Sequence, residues 1–155
     1  MGGARPLTSG EIALAQSVFG SAIDYSRVSI RRRKFFPFQP RQTAMAPRGH
    51  LHFHPRGDLY TDDFAGAPLS RQALFIHELT HVWQAQQHGS WWLVAMRHPL
   101  CRYDYAIRPG WPLARYGIEQ QAEIVKHTFL AERGHPVAGS LPAEAMRAIL
   151  PFRMG

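Results

Sequence analysis

Residues 49–55 read GHLHFHP, in which Leu51 and Phe53 alternate with His50, His52 and His54. A period of two sends successive side chains to opposite faces, so this stretch predicts a β-strand with one buried apolar face. Elsewhere the spacing changes. Thr8 or Ser9 can cap a first helix running to about Gly20, with Ile12, Ala15, Gln16 and Phe19 on a mixed face. Tyr25 to Phe36 contains VSI and then RRRKFF, which predicts another strand ended by Pro37 and Pro40. GDLYTDDFAGAP reads as turn and loop. Ser70 is a plausible N-cap for a long helix that stops near Gly89. WWLVAMRHPL and CRYDYAIRPGWP form an apolar crossing segment broken by Pro99, Pro109 and Pro112. A further helix is expected from about Ala114 to Arg133, ending at Gly134, and a short last one from Ser140 or Pro142 to about Leu150. No repeat, low-complexity tract or linker interrupts the pattern, which predicts a single domain over residues 1–155.

The long helix carries HELTH, residues 77–81. At 3.6 residues per turn His77 and His81 stack one above the other with Glu78 beside them, while Phe75, Leu79, Val82 and Gln86 fall on the far side. One side of the helix can enter a core and the other can face a cleft. Two imidazoles at i and i+4 can direct ring nitrogens to one zinc ion at about 2.0–2.1 Å, leaving positions for a third protein ligand and a water. Glu78 is close enough to take the proton of that water, the general-base role in metal-assisted peptide hydrolysis. The third ligand should be a downstream His, Glu or Asp. His88 is a poor candidate, because Gln84 stands where the extended three-histidine motif needs glycine. In YGIEQQAEIVKH, residues 116–127, Glu119 and Glu123 share one helical face, and two stacked carboxylates repel unless a positive charge lies opposite.

Composition narrows the field. A hydrophobic content of 45% in 155 residues suffices for a core, and the strongest apolar run, Trp91 to Met96, is far short of the ~20 residues of a membrane span. Trp83, Trp91, Trp92 and Trp111 are read as core or cleft walls. The single cysteine, Cys101, cannot form an internal disulfide. The start, MGGARPLTSGEIALAQ, lacks the pattern of a cleaved secretory signal, which predicts cytoplasmic synthesis and leaves export by a signal-independent route open. The formal charge of +7, with Arg31, Arg32, Arg33 and Lys34 consecutive, can attract nucleic acid, an anionic membrane surface or an acidic protein. No nucleic-acid-binding motif accompanies the run, so a solvated strand or turn is expected there.

HELTH followed by E-x-x-A-E, Glu119 to Glu123, resembles the glutamate-ligand branch of the zincin metallopeptidases, the gluzincins. The resemblance implies that Glu119 completes the zinc site and that Glu123 hydrogen-bonds His77, although this chain has Glu where the branch often has Asp. A carboxylate on the distal ring nitrogen would fix the tautomer and raise the basicity of the ligand. FGSAIDYSRVSI, the GHLHFHP strand, YTDDF, HELTHVWQ, YDYAI and YGIEQQAEIVKHTF, in that order, are similar to small bacterial metallopeptidase domains labelled vgr-related proteins, and to the metallopeptidase-like domain found with contractile injection systems. This implies a compact zincin-like α+β fold, a small twisted sheet packed on the active-site helix, a second ligand-bearing helix and a setting near secretion machinery.

On this reading the chain is a zinc-dependent peptidase-like hydrolase of one zinc ion, with an extended peptide or protein segment as substrate. His50, His52 and His54 would belong to an edge strand that pairs with substrate. Alternating histidines can also bind metal, but no further partner is spaced for it. Tyr105, Tyr116 and His127 are the candidate oxyanion or proton donors, Tyr116 lying one turn before Glu119 and His127 one turn after Glu123. The alternative is a non-catalytic zinc-binding module docking to a secretion or phage-like assembly. The intact Glu78 favours the enzyme, since a structural zinc site needs no base and is usually closed by four protein ligands. A basic nucleic-acid-associated protein is the third and weakest reading.

Overall fold

A computed structural model describes residues 3–96 and 101–152. The architecture is α+β. Four short strands, β1 (Ala4–Pro6), β2 (Ser29–Arg31), β3 (Ala44–Met45) and β4 (Leu51–Phe53), form one sheet in the order β1-β2-β4-β3. β2 and β4 are parallel, with Ile30 opposite Leu51, and the outer pairs are antiparallel. Among the described residues five helices accompany the sheet: α1 (Ser9–Phe19), α2 (Leu69–His88), α3 (Trp92–Met96), α4 (Ile118–Glu132) and α5 (Ala143–Ile149). Among the described residues no helix is long and apolar enough to cross a membrane.

The helices follow the predicted signals closely. Thr8 caps α1, its Oγ1 accepting from the Glu11 N–H, and Gly89 ends α2 at φ +100°, a conformation that side chains other than glycine rarely adopt. α2 begins one residue before the expected cap, after Pro68, whose fixed φ suits a helix entrance. α4 starts at Ile118 because residues 113–115 form a separate 3-10 turn. The predicted break at Pro99 lies outside the described residues.

The strands are shorter than expected. Tyr25–Arg27 is a 3-10 turn capped by the Asp24 side chain, so β2 keeps only Ser29–Arg31. Beyond Arg31 the chain bends away, and Lys34 Nζ donates to the Pro37 carbonyl. That loop folds back over β4. Phe35 meets the His52 ring edge-on at 5.2 Å, and Gln39 Nε2 donates to the carbonyls of Thr43 and His52. β4 is therefore buried on both faces, contrary to the half-exposed strand that its alternation predicts.

α2 is seated on the sheet by aromatic stacking. Phe53 of β4 stacks on Phe64 at 5.4 Å, and Phe64 stacks on Phe75 of α2 at 5.1 Å. Leu79 and Val82 continue this buried side. A second anchor was not visible in the residue pattern. The fully buried Glu11 accepts from Arg5 Nη1 and Nη2 at 2.9 and 3.0 Å, and from the N–H groups of Thr8 and Phe64, both at 2.9 Å. It thereby joins β1, α1 and the turn that precedes α2. Glu11→Ala would leave Arg5 without its counter-ion and the N–H groups of Thr8 and Phe64 without that acceptor, and is expected to lower stability by about 3 kcal/mol. Urea unfolding checks this, and a loss below ~1 kcal/mol, the scale of an exposed pair, would contradict it.

Candidate metal centre

α2 and α4 make the most extensive helix pairing in the fold, and the polar residues of the HELTH stretch lie at that pairing. His81 Nε2 is 2.8 Å from Glu119 Oε1, and His77 Nε2 is 3.3 Å from the same oxygen. The three residues are buried, and their candidate ligand atoms all lie within 4.8 Å of one another. This cluster can hold a metal ion.

The outer nitrogens show how the inner ones are set. Gln121 Nε2 donates to the Tyr116 carbonyl at 2.9 Å, which turns its Oε1 toward Gln84. Gln84 Nε2 donates to that oxygen at 2.9 Å and to the Ile118 carbonyl at 3.1 Å, leaving its own Oε1 for His81 Nδ1 at 2.8 Å. An amide oxygen only accepts, so His81 carries its hydrogen on Nδ1 and a neutral ring presents a lone pair at Nε2. Glu123 Oε2 does the same for His77, 2.8 Å from Nδ1. Two lone pairs thus meet one carboxylate in a buried space. Such a donor set repels itself unless a proton or a metal cation sits among its members, which is the chemistry a metal site requires.

Proton affinities follow the same geometry. Burial works against a charged His77, but hydrogen bonds to Glu119 and Glu123 outweigh it and push its pKa up to about 9. Burial would raise Glu123, yet His77 and Lys126 bring it down to about 2. In the metal-free protein a proton on His77 stands in for the cation.

Glu78, beside His77, lines a cleft of about 620 Å³. Its walls include Ala44 of β3, Leu69, Ala73 and Leu74 of α2, and Tyr103, whose ring lies nearly parallel to His77 at 6.1 Å. Tyr103 was not among the candidate donors, although YDYAI gave the region away. The candidates named from sequence stand elsewhere. Tyr116 is buried, and its Oη accepts from the Arg108 N–H. Tyr105 Oη and His127 Nδ1 are 2.6 Å apart in an adjoining groove that shares only Tyr103 and Glu123 with the cleft.

The histidine strand does not occupy the predicted place. β4 lies inside the sheet between β2 and β3, so His50, His52 and His54 are not on an edge strand. The edge beside the cleft is β3. The three histidines also diverge: the His50 ring contacts Ser29, the His52 ring is buried against Phe35, and His54 Nδ1 accepts from the Arg56 N–H. Sequence spacing likewise missed Gln84 and Gln121. Gln84 stands three residues after His81, one helical turn on, which is the available signal; nothing in the sequence pairs it with Gln121.

Fold and site together define a mixed α+β domain with a candidate His-His-Glu metal centre between its two longest helices. No protein-family model matches the sequence. The chain is 44% identical over 135 residues to the type VI secretion system spike protein VgrG2b of Pseudomonas aeruginosa, a match covering 81% of this chain and 13% of that protein. It is also similar to the solved effector domain of Pseudomonas aeruginosa VgrG2b, with a TM-score of 0.76 and 38% identity, covering 94% of this chain and 83% of that one. The chain belongs to the family of the VgrG2b effector domain.

Two outcomes follow from the site. Gln84→Leu, which removes the acceptor from His81, should weaken binding of a divalent metal about 10–100-fold in chelator competition while the fold is retained; unchanged affinity would contradict the arrangement. In chelator-stripped protein, the raised His77 pKa makes its contribution to stability complete below pH 6.5 and lost as pH rises through about 9. The lowered Glu123 pKa makes its contribution present above pH 4.5 and lost as pH falls through about 2. Thermal unfolding of the stripped protein should therefore peak between pH 4.5 and 6.5, and a flat profile from there to pH 9 would contradict the pairing.

Proposed function

We propose that the chain is a zinc-dependent hydrolase of peptide bonds that serves as the effector domain of a secretion-system spike. The observation that carries the catalytic part is the position of Glu78. It lines the same cleft as His77, at the mouth of a buried His-His-Glu cluster. A structural metal site has no need of an extra carboxylate facing an open cleft.

His77, His81 and Glu119 would hold the ion, with Glu123 and Gln84 fixing the two rings. A zinc ion held there would supply a positive charge that favours loss of a proton from water and polarises a carbonyl. Glu78 accepts the proton of the attacking water and returns it to the departing nitrogen. An extended peptide would lie along β3, where Gln42, Thr43 and Ala44 border the cleft, and main-chain pairing to an edge strand holds a substrate with little sequence preference. Tyr103 is the tyrosine nearest this chemistry and the candidate donor to the developing oxyanion.

A second reading keeps the metal and omits the reaction: a zinc-holding module that docks to a secretion apparatus. The names of the relatives, a type VI secretion system spike protein and an effector domain, support the secretion setting in both readings. The chain spans about 13% of the length of the curated relative it matches, so a spike partner and delivery belong to the proposal.

Glu78→Gln and Glu119→Ala separate the two readings. With a proteome-derived peptide library, Glu78→Gln should lower cleavage about 10²–10⁴-fold with zinc content unchanged, and Glu119→Ala should lose the zinc. Wild-type protein that holds zinc but cleaves no peptide would favour the docking module. Cleavage unaffected by Glu78→Gln would overturn the assigned base.

A further inference from the structure

Eight of the eighteen basic residues lie between Tyr25 and Gly57, a segment with no aspartate or glutamate. The fold gathers several of them at one corner, away from the metal centre. Arg27, Arg48 and His50 line a small cavity of about 180 Å³, closed from the α2 end by Gln86, Gly89 and Ser90. Arg31 belongs to the same cluster. Its Nε donates to Ser29 Oγ, and that oxygen lies 2.9 Å from His50 Nδ1. The Ser29 N–H also donates to His50 Nδ1, so this nitrogen is the acceptor and the ring keeps its hydrogen on Nε2.

Among the described residues no carboxylate forms an ion pair with Arg27, Arg31 or Arg48. The nearby Asp24 is engaged by the N–H and hydroxyl of Ser26. Arg48 Nε is buried and, among the described residues, has no hydrogen-bond partner. A buried donor on a cation, left without an acceptor beside a cavity that two arginines and a histidine line, marks a place for an anion. Burial and the neighbouring arginines both hold His50 below its usual pKa, as expected where positive charge is crowded and unbalanced.

The adjoining surface has a different character. The Arg48 guanidinium lies 3.8 Å over the ring of Trp91, which is 58% exposed. On α3 Val94 and Met96 are also exposed, at 39% and 51%, while Leu93 anchors the helix in the protein. Trp91 thus stands against this arginine cluster, with Val94 one helical turn further on the same side. Tryptophan at the boundary between an apolar patch and cationic groups suits the interface of a bilayer, where the ring sits at headgroup level and the cations meet phosphate. A purely acidic protein partner would satisfy the arginines and leave the apolar side chains unexplained.

We propose that this corner docks on an anionic lipid surface, with a headgroup phosphate entering the Arg27–Arg48–His50 cavity and Trp91 and Val94 entering the interfacial layer. The site is independent of the metal centre, and its attraction is strongest at low salt, because it rests on exposed charges.

Vesicle co-sedimentation of the full chain tests this, with phosphatidylcholine alone, phosphatidylcholine mixed with phosphatidylglycerol, and the mixed vesicles plus inorganic phosphate. The protein should partition onto the mixed vesicles only, with a blue shift of tryptophan emission that Trp91→Phe diminishes. Removing two charges with Arg27→Ala/Arg48→Ala should weaken partition roughly 30-fold, about fivefold per charge. The charge-matched control Arg108→Ala/Arg115→Ala, whose guanidinium groups lie over Trp111 instead, should partition like wild type. Equal loss in the control would reduce the effect to net charge and overturn the site. Retention on immobilised polyglutamate without vesicle binding would move the surface to an acidic protein and overturn the lipid assignment. Should the double variant fail to fold, the exposed Trp91→Ala decides: partition unchanged by it overturns the proposal.

Discussion

Two imidazoles and a carboxylate converge in the buried space between α2 and α4, and with the outer ring nitrogens engaged the inner atoms come into accord only around a proton or a metal cation. Gln84 and Glu123 hold hydrogens on the outer ring nitrogens, so neutral rings would turn lone pairs toward Glu119. A positive charge at that point turns the repulsion into attraction. The rest of the fold serves to keep these atoms together: the Phe53–Phe64–Phe75 stack sets α2 on the sheet, and the α2–α4 pairing brings Glu119 across to the histidines.

The same geometry separates two jobs along one helix. His77 and His81 are directed at α4, while Glu78, one residue on, reaches the cleft bounded by β3 and Tyr103. A charge held in a site of low polarity acts strongly on groups at its edge and is little screened by solvent. On the proposed reading this is why the base lies beside a ligand. The relative's matching domain is part of a longer type VI secretion system spike protein; on the proposed reading, delivery by such a spike would select the target and leave this domain needing little specificity apparatus of its own.

The parts legible in the sequence were those governed by local rules. The capping threonine, Gly89, and the stacking of His77 on His81 and of Glu119 on Glu123 follow from helix periodicity over a few residues. The α+β class was implied by resemblance and agrees with the observed sheet and helices. What failed depended on contacts between distant segments. Alternation in GHLHFHP correctly marked a strand, but alternation cannot tell an edge strand from an inner one, nor foresee that the Phe35–Gln39 loop covers its second face. The Gln84–Gln121 relay joins residues that are ordinary in isolation, and glutamines that fix a tautomer look like any others until the helices are packed.

The most direct test of the central claim is anomalous X-ray scattering, collected on either side of the zinc absorption edge from crystals grown with the metal the purified protein carries. The account predicts one peak between His77 Nε2, His81 Nε2 and the Glu119 carboxylate, with His81 Nδ1 still bonded to Gln84. An empty density at that point in fully zinc-supplemented crystals, or an ion held by other residues, would contradict it.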